Sequence, residues 1–205
     1  MQVTRRHLLL SALALPLAAC ATTYATDYAS GLSSDVTQTW HVTAVQVAVP
    51  DSLTVSEEPG LVPQADIVWR EDDPKGNRRA QVGLILQRAI ATAAKGLHGR
   101  HPVTLQVTVT RFHALTMQAE VLLSNAGVHN IQFDIAVVDA KTGAVLAGPT
   151  HIKADLPALS GDAMAAARAR GETQKSQISA HVTATIASWL GIGPEARGSF
   201  TRLGD

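Results

Sequence analysis

The sequence predicts an α+β fold: an antiparallel meander sheet of about five strands, packed on one face by two long helices. Three observations lead there. Apolar residues alternate with period two at 45–49, 103–109, 117–123 and 131–137, and a return strand starts at Val145 and continues through Ile152–Leu156. Two stretches, 77–97 and 161–190, instead carry apolar residues at spacings of three and four. The order is β, α, four neighbouring strands, α, joined by short loops.

The chain begins with a basic head, Thr4-Arg5-Arg6-His7, an apolar run from Leu8 to Leu17, and a small-residue close, Leu17-Ala18-Ala19-Cys20. This is the layout of a secretory leader, and its apolar run falls short of the roughly 20 residues that a membrane span needs. The close resembles a bacterial lipobox, in which diacylglycerol is attached to the cysteine sulfur and the chain is cut before that cysteine. Residues 1–19 are therefore expected to be a lipoprotein signal peptide, with Leu17, Ala18 and Ala19 recognised by the peptidase and Cys20 lipidated. Cys20 is the sole cysteine of the 205 residues, which excludes a disulfide framework within the chain. One lipid chain holds weakly and two or more hold durably, so an acylated Cys20 would be a lasting tether. Ala21, rather than Asp, follows it, which under the sorting rule of enteric bacteria points to the outer membrane over the inner. The Arg5-Arg6 pair also resembles a twin-arginine export signal, and both export routes stay open.

Residues 20–39, rich in Ala, Thr, Ser and Asp, are expected to be a flexible tether, with docking of Tyr24 and Tyr28 on the body as the alternative. Residues 40–205 are expected to form one α+β domain with a polar C-terminal tail. Trp40 to Val49 is read as a strand ended by Pro50, and Leu53–Ser56 and Ala65–Arg70 as shorter β-like pieces. In 77–97, Val82, Leu86, Ala89, Ile90, Ala93 and Leu97 form a helical stripe with Arg78, Arg79, Gln81 and Arg88 outside it, and Asn77 is the expected N-cap. Val103–Val109, Met117–Leu123, Ile131–Val137 and the segment from Val145 then supply the meander, with Asp139-Ala140-Lys141-Thr142-Gly143 as a hairpin loop. In the last helical stretch Ile178, Val182, Thr185, Ile186 and Trp189 share a face, Gly171 is an expected interruption, and Gly191 and Gly193-Pro194 end the helix.

Charge and composition exclude more than they assign. Seventeen basic residues balance 17 acidic ones, and no Lys/Arg cluster interleaves with aromatics, so no nucleic-acid partner is expected. His98 and His101 have a spacing that could present two ring nitrogens to a metal, but a zinc site needs three or four ligands and the flanking Gly and Pro indicate a loop. Asp66, Glu71, Asp72 and Asp73 are expected to be solvated turn acids. The strong hydrolase, metalloprotease and nucleotide-binding motifs do not occur, so no catalytic residue, metal or cofactor is expected. In SNAGVHNI, Gly127 and Asn130 are expected to fix a turn and His129 to hydrogen-bond across strands. Phe200 and Leu203 are expected to dock on the body, or else to contact a partner.

The lipobox, TDYA, VPDSLTVSE, ADIVWRED, RRAQV, VTLQVTVTRFHALT, GVHNIQF, TGAVLAGPTHIKADLPA and GIGPEARGSFTRLG together resemble a family of alphaproteobacterial envelope lipoproteins that carries a domain of unknown function. More distantly, the strand, helix, meander and closing helix resemble the auxiliary lipoproteins of ABC transporters. The resemblance implies location and fold and brings no activity with it. The expected role is that of a periplasmic lipoprotein, tethered to the membrane through Cys20, that binds or assists an envelope assembly or transporter without catalysis. A lipid or small-ligand carrier with an apolar cavity between helices and sheet, and an envelope hydrolase, are the alternatives.

Overall fold

The computed structural model describes residues 21–70, 73–124 and 126–203. Strands β1 (Ala21–Tyr28), β2 (Trp40–Ala48), β3 (Val55–Ser56), β4 (Ile67–Val68), β5 (His101–His113), β6 (Val128–Asp139), β7 (Val145–Ala154), β8 (Leu156–Pro157) and β9 (Gly198–Leu203) alternate with helices. The helices are α1 (Ser34–Thr37), α2 (Arg78–Ala93), α3 (Met117–Leu122), α4 (Gly161–Ala169) and α5 (Gln174–Trp189).

The expected five-strand antiparallel meander is corrected to a nine-stranded mixed sheet in which five helices, not two, accompany the strands described. Its main path runs β3-β4-β5-β6-β7-β1-β9, with β2 beside β5 and β8 beside β6. The β2–β5, β3–β4 and β4–β5 pairs are parallel. The physical cause of the β2–β5 pairing is α2, since a helix between two neighbouring strands brings the chain back in the same direction. Only β5, β6 and β7 form the expected antiparallel run.

A second correction concerns residues 117–123. Their alternation is the accident of a helix one and a half turns long: Thr116 Oγ1 accepts the Ala119 N–H at 3.0 Å and starts α3, so no strand forms there. The third correction is at the chain ends. Residues 21–28, expected to belong to a spacer, are β1, and 198–203, expected in a polar tail, are β9. Both enter the sheet, with Ala21 opposite Leu203 and Thr26 opposite Gly198.

Asn77 caps α2 as expected, its Oδ1 accepting the Ala80 N–H at 3.1 Å. Arg78 departs from the expected outward stripe. It is buried, donating from Nε to Glu57 Oε1 at 2.9 Å and from Nη1 to Gln81 Oε1 at 2.8 Å. Gly171, at φ +82°, separates α4 from α5 in a conformation that side chains disfavour. A capping box of Thr173 and Ser176 then starts α5.

The core lies between the sheet and the packed pair α2 and α5. Leu86, Ile90, Val182, Ile186 and Trp189 have no exposure there, and inward residues of β5 and β6 such as Leu105, Phe133 and Ile135 meet them. Along the outer side of this layer, a groove of about 460 Å³ between α2 and β2 is lined by Val42, Val45, Leu84, Gln87 and Ala91. Among the described residues no helix is long and apolar enough to cross a membrane.

Candidate functional site

One end of the sheet gathers the features with no evident structural necessity. There β5 finishes, β6 begins, and β8, α3, α4 and the 57–66 loop close over the strand ends. The loop is tied to α3 by Thr116, whose Oγ1 donates to Gly60 O at 3.0 Å. A small apolar cluster of Leu115, Ala119 and Ala158, with Leu123 against it, supports α3 from below. Gly127 is needed for close approach more than for a turn, since a Cβ there would stand 2.8 Å from Leu115 Cδ1.

α3 is oriented by its polar residues. Glu120 faces inward and accepts Arg168 Nε and Nη2 of α4, each at 3.0 Å, and Gln174 Nε2 of α5 at 2.6 Å. Gln174 is itself buried and accepts the Leu115 N–H through Oε1 at 3.1 Å. These bonds turn the large apolar side chains outward: Met117 is 76% exposed, Val121 67% and Leu122 62%. Leu61 and Val62, each 45% exposed, stand on the adjoining loop. Between that loop and the chain that follows α3 runs a mostly apolar crevice of about 200 Å³ lined by Val62, Pro63, His113, Leu115, Leu123 and Val128.

Beside it opens a polar cleft of about 480 Å³ containing Asp66, Arg111 and His113. Its groups serve the loop. Asp66 Oδ2 accepts both the N–H and the hydroxyl of Thr54 at 2.7 Å, bonds that hold its carboxyl below the usual carboxylate range. A ring nitrogen of His113, Nε2, is 2.6 Å from Ala65 O. Acid and imidazole are engaged with separate backbone partners, so they do not converge on one reacting atom.

Beneath this end lies a buried polar cluster that joins four elements. Asp155, between β7 and β8, accepts Asn130 Nδ2 at 2.7 Å and the Ile131 N–H at 3.1 Å through Oδ1. The Thr26 hydroxyl of β1 donates to Asp155 O at 3.1 Å and stands 2.8 Å from His181 Nε2 of α5. With the hydroxyl proton committed to that carbonyl, Nε2 is the donor to Thr26, which fixes the His181 tautomer. Burial pushes Asp155 up to about 6, against the pull of the N–H groups of Ala25 and Ile131. Burial also lowers His181.

The expected cross-strand bond of His129 is corrected. Its ring is fully buried, and neither nitrogen has a partner among the described residues, because its row in β6 faces Leu156 of β8. Desolvation first, then repulsion from His181, drives its pKa down to about 3. The cluster ties β1, β6, α5 and the β7–β8 junction together inside the fold.

Other residues singled out by sequence are scattered. Leu17, Ala18, Ala19 and Cys20 lie outside the described residues, as do Glu71 and Asp72. Phe200 is half-buried and stacks on Tyr24 with ring centroids 5.8 Å apart, while Leu203 ends β9. Tyr24 and Tyr28 are both buried. His101 pairs with Asp139 at 2.8 Å, not with His98, and no group of three or more potential metal ligands occurs among the described residues. Asp73 accepts Trp69 Nε1 at 2.8 Å and binds Lys175, so it is not a simple solvated acid.

Sequence reasoning did not find the inward Glu120 or the Asp155 cluster. The usable signals were a single acid in the strand segment Ile152–Leu156 and a single acid inside MQAEVLL.

A profile of a family of unknown function (DUF6778) matches residues 40–205. Among solved structures, a point variant of PelC from Paraburkholderia phytofirmans, solved as a dodecamer, aligns with a TM-score of 0.37 and 11% identity over 83% of this chain and 97% of that one. For the PelC dodecamer from the same organism in a second crystal form the values are 0.33 and 11%, over 82% and 96%. A candidate lipoprotein from Caulobacter crescentus aligns with a TM-score of 0.32 and 15% identity, over 79% of this chain and 98% of that chain. No curated protein matches.

Proposed function

This chain belongs to the DUF6778 family of unknown function, and from that premise we propose that it is a periplasmic lipoprotein of the cell envelope, tethered through Cys20, that acts by binding within an envelope assembly. The observation that carries this reading is the sequence Leu17-Ala18-Ala19-Cys20 after a basic head and a ten-residue apolar run, with Cys20 the sole thiol of the chain. The join to the fold supports it: Ala21, the next residue, already begins β1. The body that follows has a core of its own between the sheet and the α2–α5 pair.

The tether is tested by growing cells with an alkyne-bearing fatty acid and measuring the mass of the N-terminal peptide. Label on the parent chain, a mature N-terminus at Cys20 and loss of both in Cys20→Ser are expected. An unlabelled parent chain that keeps residues 1–19 overturns the proposal.

A further inference from the structure

We propose that the outward apolar side of α3, together with the 61–62 loop tip, dips into the surface of the lipid bilayer to which Cys20 is anchored. The inference rests on the lipoprotein reading above and deepens it: the anchor is one of two contacts with the same membrane.

Two independent observations meet here. The first is the orientation of α3. A six-residue helix offers Met117, Val121 and Leu122 to the outside while its carboxylate is held inside by Arg168 and Gln174. The inward bonds fix the face presented, so the exposure is built into the fold. Exposed apolar side chains of this kind, with Leu61 and Val62 exposed on the loop that Thr116 ties to α3, mark a surface that meets another phase or molecule.

The second is where the anchored segment joins the fold. Thr26 of β1 is opposite Ala154 of β7, and Lys153 is opposite Gln132 of β6. Along these registers, residues 21–25 run past the last β7 pairing, toward the end of the sheet where β6 begins. There they pair with β9, and at the usual rise they extend about 15 Å. Ala21 thus falls level with the loop that follows α3. Cys20 precedes Ala21 by a single peptide bond, so a lipid on its sulfur would be attached through the β1 end of the sheet. A lipid on that sulfur brings this end of the sheet to the membrane, and α3 becomes a short interfacial helix with its apolar side in the boundary between headgroups and acyl chains. The opposite end carries the Asp139–Thr142 turn, where Asp139 Oδ1 accepts the Lys141 and Thr142 N–H groups, with Val145 and Leu146 exposed beside it.

The test uses the full, acylated chain in vesicles of phosphatidylethanolamine and phosphatidylglycerol. Acylation occupies the native thiol, so Val121→Cys, and separately Val145→Cys at the far end, each give one site for a nitroxide. Both positions are similarly exposed, at 67% and 62%. Accessibility to oxygen, which partitions into lipid, is compared with accessibility to a water-soluble nickel chelate. A ratio several-fold higher at position 121 than at position 145 is expected. Equal, water-like ratios on a chain that still floats with the vesicles overturn the insertion and leave the tether standing. A label at 121 shielded from both reagents, with spin–spin broadening between copies, overturns it in favour of contact between copies of this chain. A chain without acyl mass that does not float overturns the lipoprotein reading and this inference with it.

Discussion

Helices α5 and α3 carry similar apolar side chains and turn them in opposite directions. In α5, Ile178, Val182, Ile186 and Trp189 fall on one stripe, and the sheet and α2 offer enough apolar surface to cover it completely. In α3 the buried apolar contact is small: Ala119 meets Leu115 and Ala158, with Leu123 packed against them. The orientation is then decided by Glu120, whose three short bonds are worth more inside than Met117 or Val121 would gain by partial burial. Apolar periodicity states that a face exists, and the surface available opposite states whether that face goes in.

The contrast can be broken or sharpened by substitution. Trp189→Ala empties the α2–α5–sheet layer and should cost about 3–5 kcal/mol, read from the urea midpoint; an effect below 1 kcal/mol would show that the layer collapses to fill the space.

His129→Leu removes a buried ring without partners and should stabilise the chain in acid by about 1–3 kcal/mol. The sign follows from its depressed pKa. The unfolded chain takes up this proton below 6.5 and the folded chain resists it to about 3, so the parent loses stability as pH falls through that window. Asp155 acts oppositely: raised from 3.8 to about 6, it makes the fold lose stability as pH rises between those values. Thermal melts from pH 7 to 4 should therefore show a shallower acid limb for His129→Leu. An unchanged slope would mean the His129 ring does not resist protonation.

Glu120→Ala should cost about 1–2 kcal/mol by leaving the buried Gln174 amide without this acceptor, with faster hydrogen exchange confined to α3 and α4. The smallest effect belongs to Val121→Ser, within about 0.5 kcal/mol in solution because the side chain is already exposed. A larger loss in detergent-free solution would place Val121 against a neighbour.

The long elements were legible because their patterns extend over several turns or rungs. The α2 stripe and its Asn77 cap, the α5 stripe and the β5–β7 run all appear where periodicity put them. The errors share a cause, which is that short segments take their state from tertiary partners. MQAEVLL has both periods at once, and Thr116 and Glu120 decide between them through residues about 50 positions away. The polar residues of 21–28 and 198–203 give no strong strand signal alone, and they become strands because each supplies the edge the other lacks. At the site, the acids and imidazoles were visible one by one. That Asp155, Thr26, Asn130 and His181 meet depends on pairings among four elements spread over 155 positions, which no local pattern encodes.

The ribbon of β1 and β9 has a consequence for how the molecule comes into being. The strand that leaves the ribosome first finds its two neighbours only when β7 and then β9 have followed, so its place in the sheet stays vacant through nearly all of synthesis. Closing such a sequence-distant seam is slow, so the β1–β9 ribbon is expected to be the last part of the sheet to form.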